Sequence, residues 1–442
     1  MSSSWETALL GEVLERILDR RGVTPSKLGS QFISHGHRVI SAKHIKTGRI
    51  DLDAGEDRFV DEATYSRWMS SSLNEGDVIM TSEAPLGELA YIDRELPWCV
   101  GQRLFGLRPR PDALHGRFLF YVLQSPDVVE DIHRRATGTT AQGIRQTELV
   151  RVRIPVPPLN EQEGIADTLG ALDDKIELNR HTNETLEAMA RALFKSWFVD
   201  FDPVHEKKAG RTPVGMDAAT ASLFPDSFQA SHDQSFPRSW LARPLYDCAT
   251  WINGAAYRDF SFSTAQDGLP IVKIAELKAG ITAQTKFTVS SPGEKYRIDN
   301  GDMLFSWSGN PDTSIDTFVW IHGPAWLNQH IFKVVAPSTE ERTLLFSLLR
   351  HLRPTFAEIA RDKQTTGLGH VTAGDMKRLL VPSPPHPLIR AYHTLVGPIL
   401  QRVQSRCVQS ARLGHLRDAL LPKLLSGELR VPEAERIVGK AV

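Results

Sequence analysis

The chain has 442 residues, 41% hydrophobic and 24% charged, a globular composition with room for two to four domains. Its 52 Lys and Arg nearly balance 53 Asp and Glu, which excludes a uniformly basic nucleic-acid binder; any DNA-binding surface must be a local patch. No apolar run approaches the ~20 residues of a membrane span, the start Met1-Ser2-Ser3-Ser4-Trp5-Glu6 lacks the order of a secretory signal, and Cys99, Cys248 and Cys407 make no metal-ligand spacing. A cytoplasmic, reduced protein with no membrane attachment, disulfide or metal site is expected.

From Trp5 to Pro158 the pattern is short and β-like. Arg38-Val39-Ile40-Ser41, Asp77-Val78-Ile79-Met80 and Arg103-Leu104-Phe105-Gly106-Leu107 are predicted strands, and Phe118 to His133 is a predicted helix. After Pro157-Pro158 the period changes. Ile165, Leu169, Leu172, Ile176, Asn179, Asn183, Leu186, Ala190, Leu193 and Trp197 alternate in steps of four and three, a coiled-coil seam, and Asn160 with Glu163 fits a capping box at its start. Asp202 to Arg238, rich in Pro, Ser, Ala and charge, reads as a connector.

The second half repeats this order. Pro270 to Ile274, Gly301 to Phe305 and His330 to Val334 are predicted strands, followed by a helix over Thr343 to Ala360. Thr139 to Pro158 has its counterpart in Thr366 to Pro385, and Pro155 and Pro382 stand 227 positions apart (382 − 155). The same offset carries the seam to Tyr392, Val396, Ile399, Val403, Arg406, Ser410, Leu413, Arg417, Leu420 and Leu424, with Pro422 expected to end or kink the helix near Leu421. Two seams in equivalent places favour mutual pairing over two separate amphipathic helices. In an antiparallel pair Asn179, Asn183, Arg406 and Ser410 would meet in one polar layer that sets register. The reading is an α+β chain with a pseudo-two-fold repeat: mixed α/β domains at 1–158 and 239–385, helical regions at 159–201 and 386–426, a connector at 202–238 and a tail at 427–442.

With Ile154-Pro155-Val156-Pro157-Pro158-Leu159-Asn160-Glu161-Gln162, Leu193-Phe194-Lys195-Ser196-Trp197-Phe198-Val199-Asp200-Phe201-Asp202-Pro203 and Leu420-Leu421-Pro422-Lys423-Leu424-Leu425-Ser426-Gly427-Glu428-Leu429, the chain resembles the specificity subunit of bacterial type I restriction-modification systems. Gly76-Asp77-Val78 and Gly301-Asp302-Met303 also look like the family's recognition domains. The resemblance covers nearly the whole chain. It departs at Leu388-Ile389, which stand where Glu161-Gln162 stand in the first copy, so contacts to partners are expected to differ there.

The resemblance implies two target recognition domains joined by two helices that pair antiparallel, in a subunit that binds double-stranded DNA, chooses the sequence and catalyses nothing. Two modification subunits, using S-adenosylmethionine to methylate adenine at N6, would dock on the helical regions, and ATP-dependent restriction subunits (with Mg2+) would join them. Helices of about 40 residues, ~60 Å long, would set two half-sites roughly one to two DNA turns apart at ~34–36 Å per turn. A bipartite, asymmetric target is expected, with the helix pair as a ruler.

DNA contacts are expected from polar loops. In the first domain these hold Lys43, His44, Lys46 and Arg49; Gln102 and Arg103; and Arg134, Arg135 and Arg145 around Thr139, Thr140 and Gln142. In the second they hold Lys273 and Lys278; Trp307 and Asn310; Gln329 and His330; and Lys363, Thr366 and His370. Arg suits guanine, Gln and Asn suit adenine, and Lys and Thr often hold phosphate. Each alone is also an ordinary surface residue or turn former, and Trp307 also fits a core, so the group is the candidate.

Two competing readings are a self-sufficient enzyme and a repressor. A nuclease could use Pro225-Asp226 with Glu276-Leu277-Lys278, but these are far apart and the first lies in the connector; a methyltransferase would need a cofactor-cradling glycine motif and an Asn/Asp-Pro-Pro-aromatic site, both missing. Leu14 to Gln31 superficially resembles a helix-turn-helix, but a simple repressor has no obvious use for duplicated seams.

Overall fold

The computed structural model describes residues 5–46, 48–138, 142–231, 234–257, 260–263, 266–364 and 368–442. The chain forms two compact units, one of Met1–Glu177 with Ala411–Val442 and one of Leu178–Ser410. Each helical region is therefore shared between units.

In the first unit, β1 (Leu14–Asp19), β2 (Val78–Thr81), β3 (Leu89–Tyr91) and β4 (Leu104–Pro109) form an antiparallel sheet in the order β1-β4-β2-β3. β2 and β4 are buried along their whole length because both faces are covered. Val78, Met80, Phe105 and Leu107 enter the core with Phe118 and Leu119 of a helix at Gly116–Val122. Ile79 and Leu104 point the other way, onto Val39, Ile40 and Val100 of a smaller sheet, where His37–Ile40 runs parallel to Cys99–Val100. That division is the two-residue period of a strand. From this unit α1 runs 40 residues, Leu159–Phe198.

The second unit repeats the plan. Strands β5 (Thr250–Asn253), β6 (Met303–Ser306), β7 (Asp316–Val319) and β8 (Ile331–Val335) take the order β5-β8-β6-β7, and Leu269–Val272 runs parallel to Ala325–Leu327. Met303 and Phe305 face one core while Leu304 faces another. The second long helix, α2 (His386–Leu425), also has 40 residues.

The Gly-Asp motifs prove to be turn braces. Gly76 (φ 91°) and Gly301 (φ 92°) take the left-handed region, which glycine enters without Cβ strain. Asp77 then accepts from Asn74 N at 2.8 Å and pairs with buried Arg108 on β4 at 2.7 Å. Asp302 accepts from Asp299 N at 2.8 Å and pairs with Lys333 on β8 at 2.8 Å.

Both seams are buried along the paired helices. In the first unit Ile165, Leu169 and Leu172 share a core with Leu413, Leu420 and Leu424, and Ile176 packs against it. In the second, Ala190, Phe194 and Trp197 share a core with Tyr392 and Val396, with Leu193 and Ile399 against it, while Leu186 and Val403 are half-buried. Asn179 donates to Ser410 Oγ at 3.2 Å and Gln409 Oε1 at 3.0 Å; Asn183 donates to the Val403 carbonyl at 3.3 Å and Cys407 Sγ at 3.4 Å. Rising positions on one helix meet falling ones on the other, so this stretch is antiparallel. The expected single polar layer is instead two successive contacts: Asn183 bonds to Val403 and Cys407, which flank half-buried Arg406.

Gln162 is fully buried. Its Oε1 accepts from His115 N at 2.8 Å, and its Nε2 donates to the carbonyls of Ala113 at 3.0 Å and Pro157 at 2.8 Å, which ties the start of α1 to its own domain. Ile389 stands at the matching place in α2, buried in apolar packing. For Gln162 and Ile389 the departure between copies thus exchanges an internal polar tether for apolar packing.

Several local expectations are corrected. Phe118 to His133 is two helices, Gly116–Val122 and Pro126–Arg135, because Pro126 has no N–H to donate and restricts Ser125. Thr343 to Ala360 likewise spans Thr339–His351 and Arg353–Asp362, with Pro354 in the first turn of the second. The connector holds helices Asp202–Lys208 and Ala218–Ser222, and its Val204 and Phe224 are buried in the second unit's core. The pair Asn160 and Glu163 does not cap α1: the helix starts at Leu159, and Gln162 N donates to the Pro158 carbonyl. Pro422 sits in the last turn of α2, which continues to Leu425 before Gly427 (φ 71°). Leu14 to Gln31 is a strand followed by a short 3-10 turn at Ser26–Leu28, so it holds no helix-turn-helix.

Candidate nucleic-acid interface

In the first unit three segments converge beyond the β2 and β4 strand ends: Ser82–Glu88 after β2, Gly101–Arg103 before β4, and the loop ending at Ile144. Ser82 N donates to the Arg103 carbonyl at 2.8 Å, Ile144 N to the Ser82 carbonyl at 3.0 Å, and Thr137 and Gly143 exchange backbone bonds of 2.9 Å. Glu83 bridges to Gly143 and its Oε1 lies 3.2 Å from Arg103 Nε. Gly101 is required by close approach, since a Cβ there would lie 2.2 Å from the Ile40 carbonyl oxygen. Arg103 itself holds φ 65°, a conformation a non-glycine residue seldom takes. Gln102 and Arg103 are both exposed.

Beside this junction lies a half-open cavity of about 360 Å³, with Lys43, Arg58, Gln102, Arg103 and Phe32 among its lining residues. The Arg58 guanidinium stands over the exposed Phe32 ring at 5.0 Å. Sequence reasoning missed Phe32, Arg58 and Glu83. The first two carry no local pattern, and Glu83 takes the place of Ser308, since the offset of this segment is 225 (307 − 82).

The second unit builds the same junction with other side chains. Val371 N donates to the Trp307 carbonyl at 2.8 Å, Trp307 N to the His330 carbonyl at 3.4 Å, and Ser308–Gly309 pairs with Gly369–His370. The Trp307 ring lies 5.6 Å from that of His330 and 5.8 Å from that of His370, and its Nε1 donates to Asn253 Oδ1 at 3.1 Å. His370 Nδ1 is 2.9 Å from Ser308 Oγ, and Gln329 Nε2 is 3.3 Å from His330 Nε2. Burial, and then the neighbouring His370, hold the His330 imidazole below the ordinary histidine range. Gln102-Arg103 and Gln329-His330 thus occupy one structural place at the 227-residue offset.

Other candidates separate into exposed groups and internal braces. Lys43, Arg145 and Lys273 are exposed, and Lys46 and Arg49 are antiparallel strand partners. Arg49 also pairs with Asp51 at 3.4 Å. Gln142 is exposed, its Oε1 3.3 Å from His133 Nδ1. Burial and then nearby Arg353 lower the Lys278 pKa. Thr139, Thr140 and Thr366 lie outside the described residues.

His44 is buried, with Nδ1 accepting from Ser41 N at 2.9 Å, and burial lowers its pKa, so it holds a turn. Arg134 and Arg135 both pair with buried Asp131, at 2.8 and 3.0 Å, and Arg135 reaches Glu148 at 3.6 Å. Lys363 is held by buried Asp375, whose carboxyl is depressed to about 2: against the burial penalty, the Lys363 and Thr372 hydrogen bonds stabilise its charged form. Asn310 Oδ1 accepts from Asp312 N and Thr313 N at 3.0 and 3.1 Å, as a turn former does. These side chains brace the loops. Glu276, invoked for a nuclease, is buried and accepts from Lys273 N at 3.0 Å and Thr285 Oγ1 at 3.2 Å. Among the described residues no cluster of three or more His, Cys, Asp or Glu could hold a metal ion, and no helix is long and apolar enough to cross a membrane.

The repeated sheets, the antiparallel helix contacts and the two loop junctions agree with the comparisons. Residues 3–188 match the family described as Type I restriction modification DNA specificity domain. The chain is 26% identical over 422 residues to the type I restriction enzyme MjaIX specificity subunit of Methanocaldococcus jannaschii, covering 93% of this chain and 87% of that one. It is 25% identical over 404 residues to the HindI specificity subunit of Haemophilus influenzae, covering 81% and 87%. The fold is similar to that of a type I restriction-modification S subunit from M. genitalium, with TM-score 0.53, 16% identity and coverage of 95% and 96%. Over most of its length the chain is thus similar to type I restriction enzyme specificity subunits, and residues 3–188 match their DNA specificity domain.

Proposed function

We propose that this chain is the DNA-recognition subunit of a type I restriction-modification complex, reading an asymmetric bipartite target with one recognition domain per half-site. One observation carries the reading: the same three-segment junction occurs twice, its first segment displaced by 225 residues (Ser82 to Trp307) and the other two by 227 (Arg103 to His330, Ile144 to Val371), with Arg103 and Glu83 at the first and Trp307, His330 and His370 at the second. Equal frameworks with unlike side chains suit two unlike base sequences. The chain catalyses nothing itself. It directs adenine-N6 methylation by two modification subunits and cleavage by restriction subunits, which supply the sites for S-adenosylmethionine, ATP and Mg2+.

The test is purification of the full chain with and without its modification partner, followed by methyl transfer to DNA and methylome sequencing. Transfer is expected only from the mixture, at a two-part motif whose halves differ. Transfer by this chain alone, or a palindromic motif, would refute the reading.

A further inference from the structure

We infer that Arg103 reads a guanine in the half-site taken by the first unit, and that Glu83 is its positioning residue; this rests on the DNA-recognition reading above. The Arg103 side chain is 55% exposed and its Nε lies 3.2 Å from Glu83 Oε1. Among the described residues no hydrogen bond from its Nη1 or Nη2 is found, which leaves the terminal fork of this largely exposed side chain available to a ligand. Two parallel donors on a rigid plane match guanine O6 and N7 in the major groove.

The mounting is rigid where recognition needs it. The Arg103 backbone is held at φ 65° by the bond from Ser82 N to its carbonyl, at 2.8 Å. A non-glycine residue in this region stores strain that the surrounding structure must overcome. Glu83 is fixed in turn by its backbone bridge to Gly143, so one residue, through its main chain and its carboxylate, joins three segments. A carboxylate at a DNA surface is repelled by phosphates unless it serves a cation or a cytosine amine. Here it engages Nε and leaves the fork open. On the adjoining cavity exposed Lys43 is a cation suited to phosphate, while Arg58 there is paired with Glu56.

Methylome sequencing of cells carrying the full chain with its modification partner separates the possibilities, using wild type, Arg103→Ala, Arg103→Lys and Glu83→Gln. Arg103→Ala should make one guanine position of one half-site degenerate, with discrimination there falling on the order of ten- to a hundredfold, and leave the other half-site intact. Arg103→Lys keeps the charge and loses the fork, so it should loosen the same position. Glu83→Gln should loosen it less. An unchanged Arg103→Ala motif overturns the inference. So does an even loss of methylation across all positions in a variant that melts like wild type, because that is the behaviour of a phosphate contact. If Arg103→Ala fails to fold, Arg103→Lys decides by the same criteria. A wild-type motif without guanine in either half overturns the inference alone, whereas a wild type that yields no motif overturns the recognition reading and takes the inference with it.

Discussion

Arg103 and His330 occupy the same place in two copies of one framework, and their surroundings share almost no chemistry. Arg103 is exposed and ion-paired with Glu83. His330 is half-buried against Trp307, close to His370. The backbone contacts that bring the segments together are retained, while the side chains they present are exchanged. Recognition chemistry can therefore diverge without altering the fold, because the loops are closed by backbone hydrogen bonds and by carboxylates set behind the surface. The braces differ in strength as well. The Asp77–Arg108 pair is buried, with side chains 1% and 10% exposed, whereas Asp302–Lys333 is 26% and 23% exposed.

That contrast is open to direct attack. Asp77→Ala strands a buried guanidinium and should cost about 3–5 kcal/mol, while Asp302→Ala should cost about 1 kcal/mol. Urea denaturation of the full chain measures both, and equal costs would dissolve the distinction. Next come the helix starts. Gln162→Ile orphans His115 N and two carbonyls, and Ile389→Gln buries an amide in apolar packing, so each should cost about 1–3 kcal/mol. A free exchange at either position would show that the two starts are interchangeable.

A smaller effect depends on pH. Because His330 titrates below its ordinary value of 6.5, the unfolded chain takes up that proton first as pH falls through 6.5. Stability is therefore present above 6.5 and is lost as pH falls toward the folded-state value. His44 and His351, lowered mainly by burial, act in the same direction. His330→Asn should thus shrink, without abolishing, the loss of thermal stability between pH 7.5 and 5.5; identical losses would contradict the described burial. The smallest change is expected from Asn179→Leu, neutral to stabilising by about 1 kcal/mol, with a broader unfolding transition as register loosens. A sharp, strongly destabilised transition would mean that the Asn179–Ser410 contact carries stability rather than register.

Much of the fold was legible because its signals are local. Strand segments such as Val78–Thr81 and Met303–Ser306 are short apolar runs bounded by turns, and the seams show helical period over their whole length. The candidate interface was legible only in outline. Gln102, Arg103, Gln329, His330 and His370 do meet at the junctions, but His44 is internal, and Arg134, Arg135 and Lys363 are tied to Asp131 and Asp375. The connector, judged by composition, is partly core, because Val204 and Phe224 pack on residues that lie far along the chain.

By itself the sequence determined the duplication, the paired helices and the kind of residue available at each loop, since repeat and periodicity are properties of residue order. Only the tertiary structure decided which polar residues face outward and which brace the interior. That choice depends on burial and on partners brought close by folding: Gln162 with His115, Asp77 with Arg108, and Glu83 with Arg103. A cation beside a buried carboxylate and a cation aimed at solvent look alike along the chain, and differ only once distant segments have met.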